Sequence, residues 1–205
     1  GLIPLHVWLP EAHPAAPSHV SALMSAVMIK LGVYGLLRAL GFLGGVQLWW
    51  GVLLLGLGLA SALIGAIYAS LQTDLKRLLA YCSIENVGVI VSGLGLSLIG
   101  LKLGSLTMTA LGLAGALIHV INHALLKAGL FMGAGAVQHA TGSLNLNLLG
   151  GLAKRMPVTG RSFLICSAGI AALPPMNGFV GEFLILLAAC AGIRLASLAA
   201  LATLM

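Results

Sequence analysis

His119-Val-Ile-Asn-His-Ala-Leu-Leu-Lys127 lies inside an apolar run, residues 106–137, long enough to cross a bilayer as one helix. His119, His123 and Lys127 recur at i, i+4 and i+8. At helical pitch they span about 80° of arc and about 12 Å of length, so they form one ionisable stripe. A lysine near the bilayer centre costs about 2.5–3.5 kcal/mol on the most lenient insertion scale. Such a stripe is normally kept for an ion path.

The surroundings are those of a membrane protein. Of 205 residues 60% are hydrophobic and 7% charged, with a mean hydropathy of +1.12. These values exclude an ordinary soluble domain. The 28 glycines fit close helix–helix approach in lipid. No period-two alternation marks a membrane barrel. The net charge of +6 sits between apolar runs, so it reads as a topology signal and not as a nucleic-acid surface.

Further spans are expected over residues 18–40, with Ser18 as N-cap and Lys30 at the middle, then over 48–70 and 78–99. Pro10, Pro14 and Pro17 are expected to forbid a continuous helix before them, leaving a helix tail and a turn. The last span, 161–191, is interrupted by Leu173-Pro-Pro-Met-Asn-Gly178. A broken helix at membrane depth is tolerated only where the freed backbone is buried in protein or lines a cavity. Glu182 follows one turn later. Lys76, Arg77, Lys154, Arg155 and Arg161 fall on one side, and Arg38, Lys102 and Arg194 on the other. This bias makes the Asp74–Arg77 side cytoplasmic. Beginning at Gly1 and ending at Met205 inside apolar stretches, without a signal-peptide pattern, the chain is expected to be one transmembrane domain, 1–205, from the interior of a longer protein.

Charges therefore enter the apolar helices at Lys30, Glu85, the His119/His123/Lys127 stripe and Glu182. Burial brings carboxylate, lysine and histidine towards a common range in which they exchange protons. Glu85 lies near the end of its span, where capping or pairing with Lys76 or Arg77 competes with a role in transfer. Asp74 is expected to pair locally with the same cations, and both acids are accessory candidates. No third ligand accompanies the two histidines at helical spacing, which argues against a metal. His6, His13 and His139 read as structural residues near interfaces. Cys82, Cys166 and Cys190 lack metal-cluster or disulfide spacing and read as small core residues. No phosphate-binding glycine loop and no nucleophile elbow is present.

Five ordered segments carry a resemblance: Pro4–Ser25 (Pro-Leu-His-Val-Trp-Leu-Pro-Glu-Ala-His-Pro-Ala-Ala-Pro-Ser-His-Val-Ser-Ala-Leu-Met-Ser), Met-Ile-Lys at 28–30, Gln-Thr-Asp-Leu-Lys-Arg at 72–77, Asn-His-Ala-Leu-Leu-Lys at 122–127, and Leu-Pro-Pro-Met-Asn-Gly-Phe-Val-Gly-Glu-Phe at 173–183. Together they resemble the proton-conducting antiporter-like family. It comprises the large membrane subunits of respiratory complex I, the Mrp cation/proton antiporters and the membrane subunits of group 4 hydrogenases. The segment His13–Ala22 and Tyr81-Cys-Ser-Ile-Glu-Asn-Val-Gly88 look most like the hydrogenase-4 and formate hydrogenlyase members.

The resemblance implies an all-α, polytopic bundle: a fourteen-helix core of two inverted repeats, of which this chain holds the seventh to the start of the thirteenth helix. It implies that Lys30 matches the eighth-helix lysine, that His119, His123 and Lys127 match the eleventh-helix relay, and that Glu182 matches the ionisable residue beside the broken twelfth helix. The implied function is proton translocation for a membrane-bound hydrogenase or related oxidoreductase. A complex I subunit and an Mrp-type antiporter are the alternatives. The resemblance further implies no cofactor in this chain, partners in other membrane subunits and a peripheral redox arm, no nucleic acid, and residence in the inner (cytoplasmic) membrane.

Overall fold

Helix follows wherever the sequence is apolar over a span, because backbone groups at bilayer depth must be satisfied within their own segment. The computed structural model describes the backbone of residues 1–204 and the side chains of residues 1–194. The helices are α1 (Trp8–Ala15), α2 (Ser18–Phe42, with a π turn over Met24–Met28), α3 (Leu48–Ser70), α4 (Leu75–Lys102), α5 (Leu106–Thr141), the single turn α6 (Leu152–Arg155), α7 (Pro157–Ile170) and α8 (Asn177–Leu204). Among the described residues five are long and apolar enough to cross a membrane: α2, α3, α4, α5 and α8. The all-helical, multi-pass reading holds.

The bundle is built around α4. Its apolar window is 72% buried, against 22–28% for the other four. Glycines let α3 lie against it almost backbone to backbone. Gly51, Gly58 and Gly65 recur every seven residues on α3 and meet Gly95, Gly88 and the Glu85 backbone on α4. A Cβ on Gly88 would stand 2.5 Å from both Ala62 N and the Gly58 carbonyl oxygen. The opposite side of α4 packs on α5 and α8, and α1 folds over its N-terminal end.

Three local expectations are corrected. Pro10 and Pro14 do not prevent a helix: both lie inside α1. Pro10 occupies the first turn, where a missing N–H breaks no bond. The chain leaves helical conformation only at Ala16 (ψ 148°), the residue that Pro17 pushes to extended backbone. Ser18 begins α2 but does not cap it; its hydroxyl reaches Gln138 on α5 at 3.4 Å. Asp74 forms no ion pair with the Lys76 or Arg77 side chain among the described residues. It caps α4, accepting from the Arg77 backbone N–H at 2.9 Å, while the Arg77 guanidinium pairs with Glu11 at 2.8 Å.

The break is real, though it begins earlier than the motif suggested. α7 ends at Ile170, residues 171–176 turn, and α8 resumes at Asn177 with Gly178 already helical. Ala172 takes a left-handed φ of 51°. Gly178 passes so near α7 that a Cβ there would overlap the Gly169 carbonyl oxygen, so a glycine is needed where the two half-helices meet.

Candidate functional site

The stripe on α5 faces inward. His119, His123 and Lys127 are all buried, with His123 and Lys127 wholly so. One helical turn separates the two rings, which stack with centroids 6.3 Å apart. Facing them on α4 is a row that the sequence reading missed: Leu79, Cys82, Ser83 and Asn86, at i, i+3, i+4 and i+7. That spacing lines one helical face.

This row joins the lysines. Lys127 Nζ donates to the Leu79 carbonyl at 2.7 Å. The Ser83 hydroxyl donates to the same oxygen at 3.0 Å and lies 3.0 Å from the hydroxyl of Ser25 on α2. The Ser25 carbonyl in turn accepts from Lys30 Nζ. Lys30 thus bonds back to the π turn just before it, where the helical ladder is wound differently. A line of protein atoms, Lys30, Ser25, Ser83, Leu79, Lys127, crosses from α2 through α4 to α5. Ser83 spends its hydrogen on Leu79, so Ser25 must be the donor between the two hydroxyls.

A second branch leaves the same row. His119 Nε2 is 2.9 Å from Asn86 Oδ1, and Asn86 Nδ2 donates to the Cys82 carbonyl at 2.8 Å and approaches its Sγ at 3.8 Å. Cys82, Lys127 and Glu85 lie within electrostatic reach of one another. Among the described residues Glu85 forms no ion pair with Lys76 or Arg77. It is the carboxylate on the Lys127 side of the site.

Glu182 lies farther out. It is half-buried on α8 and lines a cavity of about 670 Å³ with Leu55, Ala62, Ser92 and Phe179. Glu85 lies within electrostatic reach of it. Asp74 caps α4.

Two more ionisable residues, placed by the sequence near the ends of the spans, are buried. Lys76 is 1% exposed and donates to the Ala16 carbonyl at 2.8 Å. His13 is fully buried, stacked on Phe131 with centroids 4.5 Å apart. Burial, with the Lys127, Lys76 and Lys30 cations nearby, lowers its pKa to about 4, so it is neutral at physiological pH. The signal for the α4 row was present in the sequence as Cys82-Ser-Ile-Glu-Asn86, a second polar cluster inside an apolar span. Nothing in the sequence separates Lys76 from its exposed neighbour Arg77. Among the described residues no group of three His, Cys, Asp or Glu side chains could hold a metal ion.

A sequence model of the family described as NADH:quinone oxidoreductase/Mrp antiporter, transmembrane region, matches residues 1–205. Hydrogenase-4 component B of Escherichia coli (strain K12) is 50% identical over 186 residues, covering 89% of this chain and 28% of that protein. Formate hydrogenlyase subunit 3 of the same strain is 46% identical, covering 90% of this chain and 30% of its own length. The chain thus spans less than a third of these relatives. Among solved structures, a chain of the membrane-bound sulfane sulfur reductase (MBS), an archaeal respiratory membrane complex, superposes with a TM-score of 0.82 at 32% identity. That match covers 92% of this chain and 37% of the other.

Proposed function

The chain belongs to the NADH:quinone oxidoreductase/Mrp antiporter transmembrane family, and from this premise we propose that it forms part of the proton-translocating membrane subunit of an oxidoreductase complex of the hydrogenase-4/formate hydrogenlyase type. The observation that carries the reading is the hydrogen-bonded line from Lys30 to Lys127 through Ser25 and Ser83. A hydroxyl accepts one proton while releasing another. Both lysines donate into this line, at the Ser25 and Leu79 carbonyls, so it holds them in place on either side of the Ser25 and Ser83 hydroxyls, the groups between them that can exchange protons. Lys127 then hands over through Cys82 to Glu85, and Glu85 to Glu182 on the broken helix. His119 and His123 form a side branch that takes up and returns protons without lasting charge.

In this reading residues 1–205 are the seventh to the start of the thirteenth helix of the core. Redox chemistry belongs to a peripheral arm held by partner subunits, and the chain sits in the inner membrane with the Asp74 end cytoplasmic. The sulfane sulfur reductase likeness supports assembly in a respiratory membrane complex. The test is proton pumping by the assembled complex in proteoliposomes, driven by its electron donor. Lys30→Ala and Lys127→Ala are expected to keep electron transfer and assembly while abolishing acidification. Normal acidification by both variants overturns the reading. The family description also covers Mrp antiporters; cation-driven proton exchange without any electron donor would select that alternative.

A further inference from the structure

We propose that Asn86 is a positioning residue that locks His119 in the tautomer with hydrogen on Nε2, leaving Nδ1 as the proton-accepting atom turned towards α8. The argument starts at the amide. Asn86 Nδ2 donates to the Cys82 carbonyl at 2.8 Å. Turning the amide over would set oxygen against oxygen at that distance, so the assignment of its two ends is fixed by chemistry. Oδ1 then faces α5, 2.9 Å from His119 Nε2. An amide oxygen only accepts, so Nε2 must carry the hydrogen, and a neutral imidazole has one.

Both residues are buried, Asn86 3% and His119 2% exposed, so solvent does not compete for the bond. The lone pair falls to Nδ1, which is buried and makes no hydrogen bond of normal geometry, with the Gly178 backbone beside the ring. It lies on the α8 side, where a Cβ at Gly181 would stand 3.0 Å from Nδ1. Gly181 precedes Glu182. The lone pair is therefore presented to the second half of the broken helix and not to α4.

The functional meaning of the lock rests on the proposed relay, whereas the lock itself is read independently by nitrogen chemical shift. The full chain, assembled with its partners in lipid and carrying ¹⁵N-histidine, is measured by solid-state NMR, with His119 assigned by its loss in His119→Gln. The wild type is expected to show protonated Nε2 and bare Nδ1. In Asn86→Leu, which keeps the branched shape but has no acceptor, the ratio of the two tautomers should fall roughly tenfold, the weight of one neutral hydrogen bond. A wild-type spectrum with protonated Nδ1 overturns the proposal without any variant having to fold. So does an unchanged His119 signal in Asn86→Leu. Pumping is measured in parallel. Lost tautomer preference with unchanged pumping supports the lock and removes His119 from the relay, so the two readings fail separately.

Discussion

Lys127 Nζ donates to the backbone carbonyl of Leu79 at 2.7 Å, in a site with no exposure to solvent. A buried lysine tied to a carboxylate holds its proton tightly; one tied to a carbonyl oxygen holds it through a weaker, neutral acceptor. The side chain is thus anchored in place while its proton stays available to nearby groups.

Substituting Lys127 by arginine keeps a positive charge but removes the ability to release a proton, since guanidinium does not deprotonate in proteins. Lys127→Arg is therefore expected to lower pumping as severely as Lys127→Ala, by about a hundredfold. Proteoliposome acidification checks this. Pumping by Lys127→Arg at the wild-type rate would make Lys127 a fixed charge.

Ser83→Ala removes the only side chain that joins the Ser25 hydroxyl to the Leu79 carbonyl among the described residues. Proton transfer should slow roughly tenfold, while Ser83→Thr, which keeps the hydroxyl, should stay near wild type. Electron transfer and complex yield, measured on the same preparations, separate this from misassembly. Equal rates for alanine and threonine would show that the hydroxyl is not on the route.

Glu85→Gln should impair pumping more than Glu182→Gln, because Glu85 is the carboxylate that shares Cys82 with Lys127. Side-by-side acidification rates of the two variants provide the measurement. The reverse ranking would return Glu182 to the position next to Lys127.

Gly88→Ala places a methyl where α3 backbone already stands. Overpacking of that kind costs about 1–3 kcal/mol, expected as a lowered melting temperature and yield of the assembled complex. Gly56→Ala, on α3 where no atom lies within 4 Å, is the matched control and should be neutral. A loss at Gly56 equal to that at Gly88 would refute close α3–α4 packing as the cause.

Replacing Pro174 and Pro175 together by alanine restores two backbone N–H groups to the segment between α7 and α8 and should favour a straighter helix. Transport is expected to fall more than assembly, because Glu182 and the Asn122–Asn177 contact (2.7 Å) both depend on where α8 restarts. Pumping against complex yield distinguishes the outcomes, and unimpaired pumping would show that the break serves packing alone.

By itself the sequence determined that this chain spans a membrane several times, that one helix is broken near Pro174, and that Lys30, Glu85, His119, His123, Lys127 and Glu182 are out of place in apolar helices. Each of these follows from a local cost. A charge at bilayer depth, or a proline pair within a span, is expensive whatever its neighbours. The cap made by Asp74 and the burial of Lys76 and His13 were not legible, because capping, burial at a helix start and burial under a short helix leave no periodic trace. The tertiary structure decided who meets whom: Ser25 with Ser83 across 58 residues, Asn86 with His119 across 33, Lys127 with Leu79 across 48. Serine, asparagine and a backbone carbonyl carry no charge, so their presence in a span costs little and gives little signal. They acquire meaning only when α4, drawn close to α3 by glycine, turns its polar row to α5.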